Sequence, residues 1–382
     1  MKTITPPKTA GEKAILVQLI WGEATREQAA DSLAELENLA DTAGIKVAGS
    51  ITQHRDRPTG QFFIGEGKVQ EVGMACEKSG ANLILFDNEL SPIQVNNLDL
   101  TLGVKVLDRT ELILQIFARR ARSAEARIQV ELAQLQYLVS RLPTSIKQAR
   151  FGGGIGMRGP GESPLQLRNA PMRRRISELK AKLRLIQKRR VDQRQRTWPQ
   201  ISLVGYTNVG KSTLLNALTS AEAYVDDRLF ATLDTKSRLL YLPSGRQAML
   251  TDTVGFIRNL PHGLVASFRS TLEEAAQADL LLHVADAGHP FVTEHCTVVF
   301  DTLREIHADR VPTLLVLNKC DQPAAHLALP HLRTLFPDAL TISAAARDGL
   351  TELKQRIAER IGPAQTPSAP EASTPDPQND PA

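Results

Sequence analysis

The stretch that decides the fold is Ile201-Ser202-Leu203-Val204-Gly205-Tyr206-Thr207-Asn208-Val209-Gly210-Lys211-Ser212. Its first four residues form an apolar strand, and a helical pattern of leucines follows Ser212. The loop between them has the spacing Gly-x-x-x-x-Gly-Lys-Ser, which turns backbone N–H groups toward phosphates at the N-terminus of the next helix. We expect Lys211 to reach the β- and γ-phosphates and Ser212 to give its hydroxyl to Mg²⁺. The segment therefore predicts a nucleotide site in an α/β domain.

Three further motifs follow predicted strands, at the edge where a doubly wound sheet binds its ligand. They are Asp252-Thr253-Val254-Gly255, Asn318-Lys319-Cys320-Asp321 and Ser343-Ala344. Asp252 is expected in the magnesium shell, and the Gly255 N–H is expected at the γ-phosphate. Asp321 can accept hydrogen bonds from N1 and the 2-amino group of guanine, a donor pair that adenine lacks, and Ser343-Ala344 would offer backbone N–H to the guanine O6. The four motifs together predict a GTPase that binds GTP and GDP.

The sequence does not identify all the residues that complete GTP hydrolysis. The segment Phe230-Ala231-Thr232-Leu233-Asp234-Thr235 offers two threonines to Mg²⁺. Ras-like enzymes place a water-orienting glutamine directly after Asp-x-x-Gly, whereas this chain has Phe256, which cannot hydrogen-bond a water. We therefore expect slow intrinsic hydrolysis that a partner or another loop completes, and no catalytic residue is identified. Asn208 either holds a monovalent cation such as K⁺ near the phosphates or caps the turn.

Composition excludes several classes of protein. The 382 residues, 42% of them hydrophobic, correspond to two or three domains. No apolar run approaches the roughly 18 residues of a membrane span, and the N-terminus lacks the pattern of a signal peptide. Cys76, Cys296 and Cys320 are widely spaced and odd in number, which excludes a disulfide framework and a zinc site. We expect a cytoplasmic protein.

Periodicity along the chain predicts three domains. Strands alternate with helices up to residue 108, the pattern of a small parallel sheet. Residues 110–142 read as continuously helical, and apolar residues in this run and again over 176–186 have coiled-coil spacing. The predicted units are a flexible N-terminus (1–13), a small parallel α/β domain (14–108), an antiparallel helical hairpin with a glycine-rich tip (109–197), a P-loop GTPase domain with a doubly wound sheet (198–362) and a disordered tail (363–382).

Positive charge is concentrated in the helical hairpin. The whole chain has a net charge of +4, whereas residues 141–196 hold 16 Lys or Arg against 3 Asp or Glu. A basic run alone is most often a solvated helix face, but beside a glycine-rich tip and a GTPase domain it favours nucleic acid. The segment has few aromatic side chains for stacking on single strands, which favours structured RNA. The candidate RNA contacts are Gly152, Gly153, Gly154, Arg158, Gly159, Arg173, Arg174 and Arg175.

Other motifs resemble those of the HflX family of ribosome-associated GTPases. They are Phe86-Asp87-Asn88-Glu89-Leu90-Ser91-Pro92, Leu107-Asp108-Arg109-Thr110-Glu111-Leu112-Ile113-Leu114, Gln129-Val130-Glu131-Leu132-Ala133-Gln134-Leu135, the loop from Gly152 to Glu162, and Asp252-Thr253-Val254-Gly255-Phe256-Ile257. The resemblance covers residues 14 to 362. It implies binding to the large (50S) ribosomal subunit and its rRNA, near the peptidyl-transferase region, and the splitting or rescue of stalled ribosomes. It also places the magnesium threonine at Thr232, with Thr235 as the fallback.

The chain departs from the usual family sequence at two places. Residues 163–169 lose two acidic residues and gain Pro164, and the usual Leu-Asp-Pro-Thr of the first switch is Leu233-Asp234-Thr235-Lys236. Two other functions stay open. One is a GTPase that helps to assemble the large subunit, and the other is a GTP-dependent scaffold whose basic hairpin grips a membrane or an acidic protein. We expect a monomer.

Overall fold

The computed structural model of the chain describes residues 11–141, 164–193, 198–219, 229–230, 235–258 and 274–361. The glycine-rich tip and the tail predicted at 363–382 lie outside these ranges, as does nearly all of the predicted flexible N-terminus. None of the helices in the ranges described has the length and hydropathy needed to cross a bilayer.

The N-terminal part of the chain is a four-stranded sheet with helices on both faces. Its elements are β1 (Lys13–Ile20), α1 (Arg26–Thr42), β2 (Lys46–His54), α2 (Glu66–Ser79), β3 (Leu83–Phe86), α3 (Pro92–Leu102), β4 (Lys105–Asp108) and α4 (Arg109–Arg120). The strand order is β2-β1-β3-β4, and every pair is parallel. Alternate residues of β1 enter two separate apolar clusters, Leu16 one and Val17 the other. Both faces of the sheet are therefore buried, as is usual for a parallel sheet.

Three helices connect this sheet to the second domain, and the prediction of one continuous helix over 110–142 is wrong. Helix α4 ends at Ala121, whose ψ of 109° is extended, and α5 (Ala124–Ser140) begins after Ser123, whose side chain accepts from the Ala126 N–H. An N-cap serine of this kind starts a new helix. Helix α4 packs with the N-terminal sheet, because Leu112 and Ile116 belong to the same cluster as Leu16.

Helix α6 (Pro164–Gln193) packs against α5 along the predicted apolar seam. Leu132 and Leu135 of α5 are buried against Leu179 and Leu183 of α6. An ion pair lies beside the seam, with Arg175 Nε 2.7 Å from Glu131 Oε1. The seam fixes one face of α6, and exposed basic residues such as Arg173, Arg174 and Lys180 lie outside it.

The second domain is a six-stranded sheet whose core runs on into the first. Its elements are β5 (Gln200–Gly205), α7 (Lys211–Thr219), β6 (Lys236–Tyr241), β7 (Gln247–Asp252), β8 (Leu280–Asp286), α8 (Val292–Glu305), β9 (Thr313–Asn318), α9 (Pro323–Leu335), β10 (Leu340–Thr341) and α10 (Leu350–Arg360). The order is β10-β9-β8-β5-β7-β6. Only β6 among these described strands pairs antiparallel, so the predicted doubly wound sheet is mixed at one edge.

The two sheets share one apolar cluster. Leu112 and Phe117 of α4 belong to the same cluster as Ile201 and Leu214 of the second domain. The ring of Phe117 meets that of Phe230 edge to face, with centroids 4.7 Å apart. Edge-to-face aromatic pairs stabilise packing beyond the area they bury. The N-terminal domain therefore holds the residue at which the first-switch segment begins.

Candidate functional site

The phosphate loop lies between β5 and α7, and two glycines determine its shape. Gly205 has φ +153°, and a Cβ there would lie 2.2 Å from the carbonyl oxygen of Val284. Gly210 has φ +91°, and its Cβ would lie 2.5 Å from Asn318 Nδ2. Both positions therefore require glycine. Asn208 between them is exposed and has φ 59°, a turn conformation that asparagine tolerates and that leaves its side chain accessible from solvent.

Lys211 and Ser212 open α7 on the floor of this loop. Lys211 is buried, and its ammonium donates to the carbonyl oxygens of Gly205 at 3.0 Å and Tyr206 at 2.7 Å. Burial lowers the pKa of Lys211 to about 8, although the carboxylate of Asp252 opposes the shift. The Ser212 hydroxyl donates to Asp252 Oδ2 at 2.6 Å, so the structure brings together two of the side chains predicted near Mg²⁺.

The Asp252–Gly255 segment is seated on the phosphate loop by backbone hydrogen bonds. The Phe256 N–H donates to Gly205 O at 3.1 Å, and the Thr207 N–H donates to Phe256 O at 2.7 Å. A Cβ at Gly255 would lie 2.9 Å from Thr207 Cγ2 and 3.0 Å from Lys211 Nζ, which only glycine avoids. The backbone of Gly255 thus lies directly beside the lysine ammonium.

Phe256 points away from the phosphate loop. Its side chain is 2% exposed and belongs to an apolar cluster with Val204 and Leu303. The residue at the position of the Ras-like glutamine is therefore part of the core of the domain, in addition to having no polar atom.

Asn318 joins the phosphate loop to the predicted base-binding loop. Its Nδ2 donates to Val209 O at 2.8 Å, and its Oδ1 accepts from the Ala344 N–H at 2.9 Å. The side chain is almost completely buried. The sequence predicted that Asn318 would lie near the nucleotide, but not this structural tie, which requires residues from three parts of the chain.

The other residues of the predicted guanine site lie around Asn318. Asp321 Oδ1 accepts from the Ser343 hydroxyl at 2.6 Å, so this pair holds the carboxylate at the loop that ends in Ala344. Lys319 Nζ lies 2.8 Å from Asp286 Oδ2. Cys320 is half-buried, and its backbone N–H donates to Ile342 O. The three motifs at the ends of β5, β9 and β10 therefore converge on one edge of the sheet, as predicted.

Part of the predicted set falls outside the described ranges. Residues 231–234, which include the predicted magnesium ligand Thr232, are among them, and so are the candidate RNA contacts at positions 152–154, 158 and 159. The fallback Thr235 donates its hydroxyl to Glu274 Oε1 at 3.3 Å. On α6, Arg173 and Arg174 are exposed, whereas Arg175 makes two hydrogen bonds to the Glu131 carboxylate at 2.7 and 3.0 Å.

The sequence reasoning missed a buried polar network between the two domains. Arg109 at the start of α4 pairs with Glu35 of α1 and, at 2.8 Å, with Asp87 after β3. The Glu35 carboxylate lies beside Tyr206 of the phosphate loop, and its charge adds to the effect of burial in raising the pKa of that tyrosine. Asp87 and Arg109 both stand in motifs that carried the family resemblance, but only the tertiary structure shows that they meet.

One group near this network has the composition of a metal site. Ligand atoms of Asp31, His289 and His295 lie within 4.8 Å of one another. However, the Phe291 N–H donates to His289 Nδ1 at 3.1 Å, so a neutral His289 ring carries its proton on Nε2, facing Asp31. Arg258 Nη2 lies 3.0 Å from Asp31 and already balances its charge. The group is an ion-pair contact between α1 and the second domain, and we assign no metal to it.

Comparison with known proteins gives the family. Family models match residues 30–118 ("GTP-binding GTPase N-terminal"), 120–197 ("GTP-binding GTPase Middle Region") and 200–319 ("50S ribosome-binding GTPase"). The GTPase HflX of Alkalihalophilus pseudofirmus is 46% identical over 340 residues, which is 88% of this chain and 79% of that protein. The chain belongs to the HflX family of GTPases. It therefore binds and hydrolyses GTP, as the motifs predicted.

Further HflX relatives match over similar lengths. GTPase HflX of Escherichia coli is 43% identical, and the alignment covers 92% of this chain and 83% of that protein. The relative from Caldanaerobacter subterraneus is 50% identical over 315 residues, 81% of this chain and 73% of that protein. A crystal structure of a GTP-binding protein from Sulfolobus solfataricus with GDP is 27% identical, covers 92% of this chain and 98% of that one, and has a TM-score of 0.46, a likeness too loose to add to the family assignment.

Asn318→Ala should weaken GDP binding by about 10- to 100-fold. The substitution leaves the Val209 carbonyl and the Ala344 N–H without their buried partner, which costs about 1 to 3 kcal/mol. Titration of a fluorescent GDP analogue at fixed Mg²⁺ measures the loss. Asn38→Ala, at an exposed position of α1, is the matched control. Equal affinity of the Asn318 variant and the control would show that the tie is dispensable.

Phe256→Gln should not accelerate GTP hydrolysis in this HflX protein. The glutamine amide would replace an aromatic ring in an apolar cluster. We therefore expect the free energy of unfolding to fall by about 2 to 4 kcal/mol, and we expect no gain in kcat. Single-turnover hydrolysis and urea denaturation measure the two effects. Phe256→Leu keeps the position apolar and should retain the rate of the unsubstituted protein. A faster Phe256→Gln variant would mean that this side chain reaches the phosphates.

Proposed function

We propose that this chain is a GTP-driven factor that acts on the large ribosomal subunit. GTP hydrolysis in its nucleotide domain controls when the factor acts. The basic helix α6, with the glycine-rich segment before it, is the part that contacts rRNA. The observation that carries the proposal is the exposure of Arg173 and Arg174 on α6, a helix that packs against α5 through Leu179 and Leu183. Exposed arginines on a helix suit phosphate backbones.

The nucleotide contacts are proposed from the sequence motifs, and the geometry of the loop edge supports those that the structure describes. The residues proposed to contact GTP are Gly205, Tyr206, Thr207, Asn208, Val209, Gly210, Lys211, Ser212, Phe230, Ala231, Thr232, Leu233, Asp234, Asp252, Thr253, Val254, Gly255, Asn318, Lys319, Cys320, Asp321, Ser343 and Ala344. Ser212 and Thr232 would hold Mg²⁺, with Asp252 accepting from the shell around it. The contact of Ser212 with Asp252 supports this placement. The exposed Asn208 side chain supports a K⁺ contact equally with a role in the turn.

Hydrolysis is proposed to be slow until the chain meets its partner. Phe256 is packed into the core, so no side chain at this position can orient the attacking water. A group supplied by the ribosome, or by a segment that rearranges on it, would then complete the site. Such a design ties GTP consumption to the presence of the partner.

The basic residues of α6 do not contribute equally. Among the side chains that the structure describes, the exposed ones are Arg173, Arg174, Lys180, Lys182, Arg184 and Lys188. Arg175 differs because it is half-buried and bound to Glu131, so we assign it mainly to holding α6 against α5. The scaffold alternative, with a membrane or an acidic protein as partner, is less well supported, since the family model of the second domain names a 50S ribosome-binding GTPase. A ribosomal partner also places the action of the chain in the cytoplasm, and a monomer is sufficient for it.

A nucleotide-dependent pelleting experiment tests ribosome binding. We expect the chain to sediment with 50S subunits in the presence of a non-hydrolysable GTP analogue and to be lost from the pellet with GDP. Arg173→Ala/Arg174→Ala should weaken binding and make the slope of log affinity against log salt shallower by about 1.5, the effect of two lost phosphate contacts.

The control for that experiment removes the same charge elsewhere. Lys354→Ala/Arg360→Ala on α10 should bind like the unsubstituted chain, with the same salt slope. Sedimentation that survives RNase treatment of the particles would contradict an rRNA contact and favour the scaffold.

Ribosome splitting is the finer part of the proposal and needs its own test. Incubation of intact ribosomes with the chain and GTP, or its non-hydrolysable analogue, should raise the fraction of free subunits on a sucrose gradient. Binding to 50S subunits without any release of subunits would contradict splitting. That outcome would favour the alternative of a factor for large-subunit assembly.

A further inference from the structure

Tyr206 lies where three parts of the structure meet. It is the second residue of the phosphate loop and is 4% exposed. Its hydroxyl oxygen accepts from the Arg258 N–H at 2.8 Å, which joins the segment after Gly255 to the phosphate loop. Its ring stacks on His295, with centroids 3.8 Å apart and planes 2° from parallel, so the ring has one orientation. Burial, and after it the charge of the Glu35 carboxylate of α1 beside the hydroxyl, raises the pKa of Tyr206 above its ordinary value.

Glu35 is itself held in place by the N-terminal domain. Arg109 pairs with Glu35 through Nη2 and with Asp87 through Nη1. Asp87 also accepts from Gln18 Nε2 at 3.0 Å and from the Ser32 hydroxyl at 2.7 Å. Ion pairs and hydrogen bonds inside a protein restrain the side chains that form them. The Glu35 carboxylate beside Tyr206 is thus held by residues of the N-terminal domain.

A second contact from the same helix holds Arg258. Asp31 lies four residues before Glu35, on the same face of α1, and its carboxylate is 3.0 Å from Arg258 Nη2. The Arg258 guanidinium also lies over the ring of Phe291, 5.3 Å from its centroid. Helix α1 therefore contacts the segment after Gly255 through Asp31 and places the Glu35 carboxylate beside Tyr206 of the phosphate loop.

These contacts affect the distance between the Gly255 N–H and the γ-phosphate, on which hydrolysis depends. Gly255 must place its N–H at the γ-phosphate, and its backbone lies beside the ammonium of Lys211. The segment is attached to the phosphate loop at Phe256 by backbone hydrogen bonds and at Arg258 by the Tyr206 hydroxyl. Removing the second attachment leaves the first to act as a pivot. A group displaced by even a fraction of an ångström from a transition-state charge stabilises it less.

We propose that Tyr206 is a positioning residue for GTP hydrolysis, and that the N-terminal domain, through Asp31 on Arg258 and Glu35 beside Tyr206, sets the position of the Gly255 segment on the phosphate loop. The proposal rests on GTP hydrolysis by the isolated chain and not on ribosome binding. It assigns to the N-terminal domain a direct structural role in the reaction. Nucleotide affinity depends on Lys211 and the loop N–H groups, which Tyr206 does not replace, so rate and affinity should separate.

The test compares Tyr206→Phe with the unsubstituted full-length chain in the absence of ribosomes. Tyr206→Phe keeps the ring on His295 and removes only the hydroxyl, so we expect it to fold. The single-turnover rate of GTP hydrolysis should fall about fivefold, the effect of one lost hydrogen bond in the transition state. The dissociation constants of GTP and GDP should stay within about twofold, since an interaction made mainly in the transition state changes kcat and not binding.

A double-mutant cycle with Glu35 shows whether the N-terminal domain is involved. Glu35→Gln should lower the rate in the same direction, and the Tyr206→Phe/Glu35→Gln double variant should be no slower than the slower single variant. Glu37→Gln, at an exposed position of the same helix, is the matched control and should keep the full rate. If Glu35→Gln does not fold because Arg109 loses its partner, Asp31→Asn replaces it in the cycle.

Three results would overturn the proposal. The first is an unchanged rate in Tyr206→Phe. The second is a rate and an affinity that fall by the same factor, which indicates a general structural defect. The third is a double variant whose loss equals the product of the two single losses, which means that Tyr206 and Glu35 act independently. Absence of ribosome binding in a chain that still shows the coupled loss would contradict the proposed function and leave this proposal intact.

Discussion

Two backbone hydrogen bonds between Phe256 and the phosphate loop hold the nucleotide site together. They run from the Phe256 N–H to Gly205 and from the Thr207 N–H to the Phe256 carbonyl. The close approach that they impose makes Gly255 obligatory and turns the ring of Phe256 into the core. It also brings Arg258 to the hydroxyl of Tyr206. The recognition of phosphate, the missing water-orienting side chain and the contact with the N-terminal domain are consequences of one local geometry.

The sequence predicted the parts of the site that stereochemistry dictates. Gly205 and Gly210 adopt positive φ and leave no room for a Cβ, so their spacing identifies the loop without tertiary information. The motifs that contain Asp252 and Asp321 were predictable for a related reason, because parallel strands carry their ligand residues at one edge. The contacts of Asn318 with Val209 and Ala344 were not, since they depend on which strands are neighbours.

The features that the sequence did not predict depend on contacts between distant residues. Arg109 and Glu35 are 74 positions apart, and no periodicity in either helix shows that they meet. The antiparallel pairing of β6 was missed because alternation of apolar residues does not give strand direction. The break at 121–123 did leave a local signal, the N-cap Ser123, which the stronger helical pattern on both sides obscured. Features set by local stereochemistry could thus be predicted from the sequence, whereas contacts between distant residues could not.

The core shared by the two domains has a consequence for how the chain is made. Phe117 is synthesised 113 residues before Phe230, the aromatic ring that it packs against. At a translation rate of about 5 to 20 residues per second, roughly 6 to 23 s pass between the synthesis of Phe117 and that of Phe230. During that time the side of the Phe117 ring that later packs against Phe230 lacks its partner. During translation the shared apolar core is therefore incomplete for an interval, in which the N-terminal domain is exposed to aggregation.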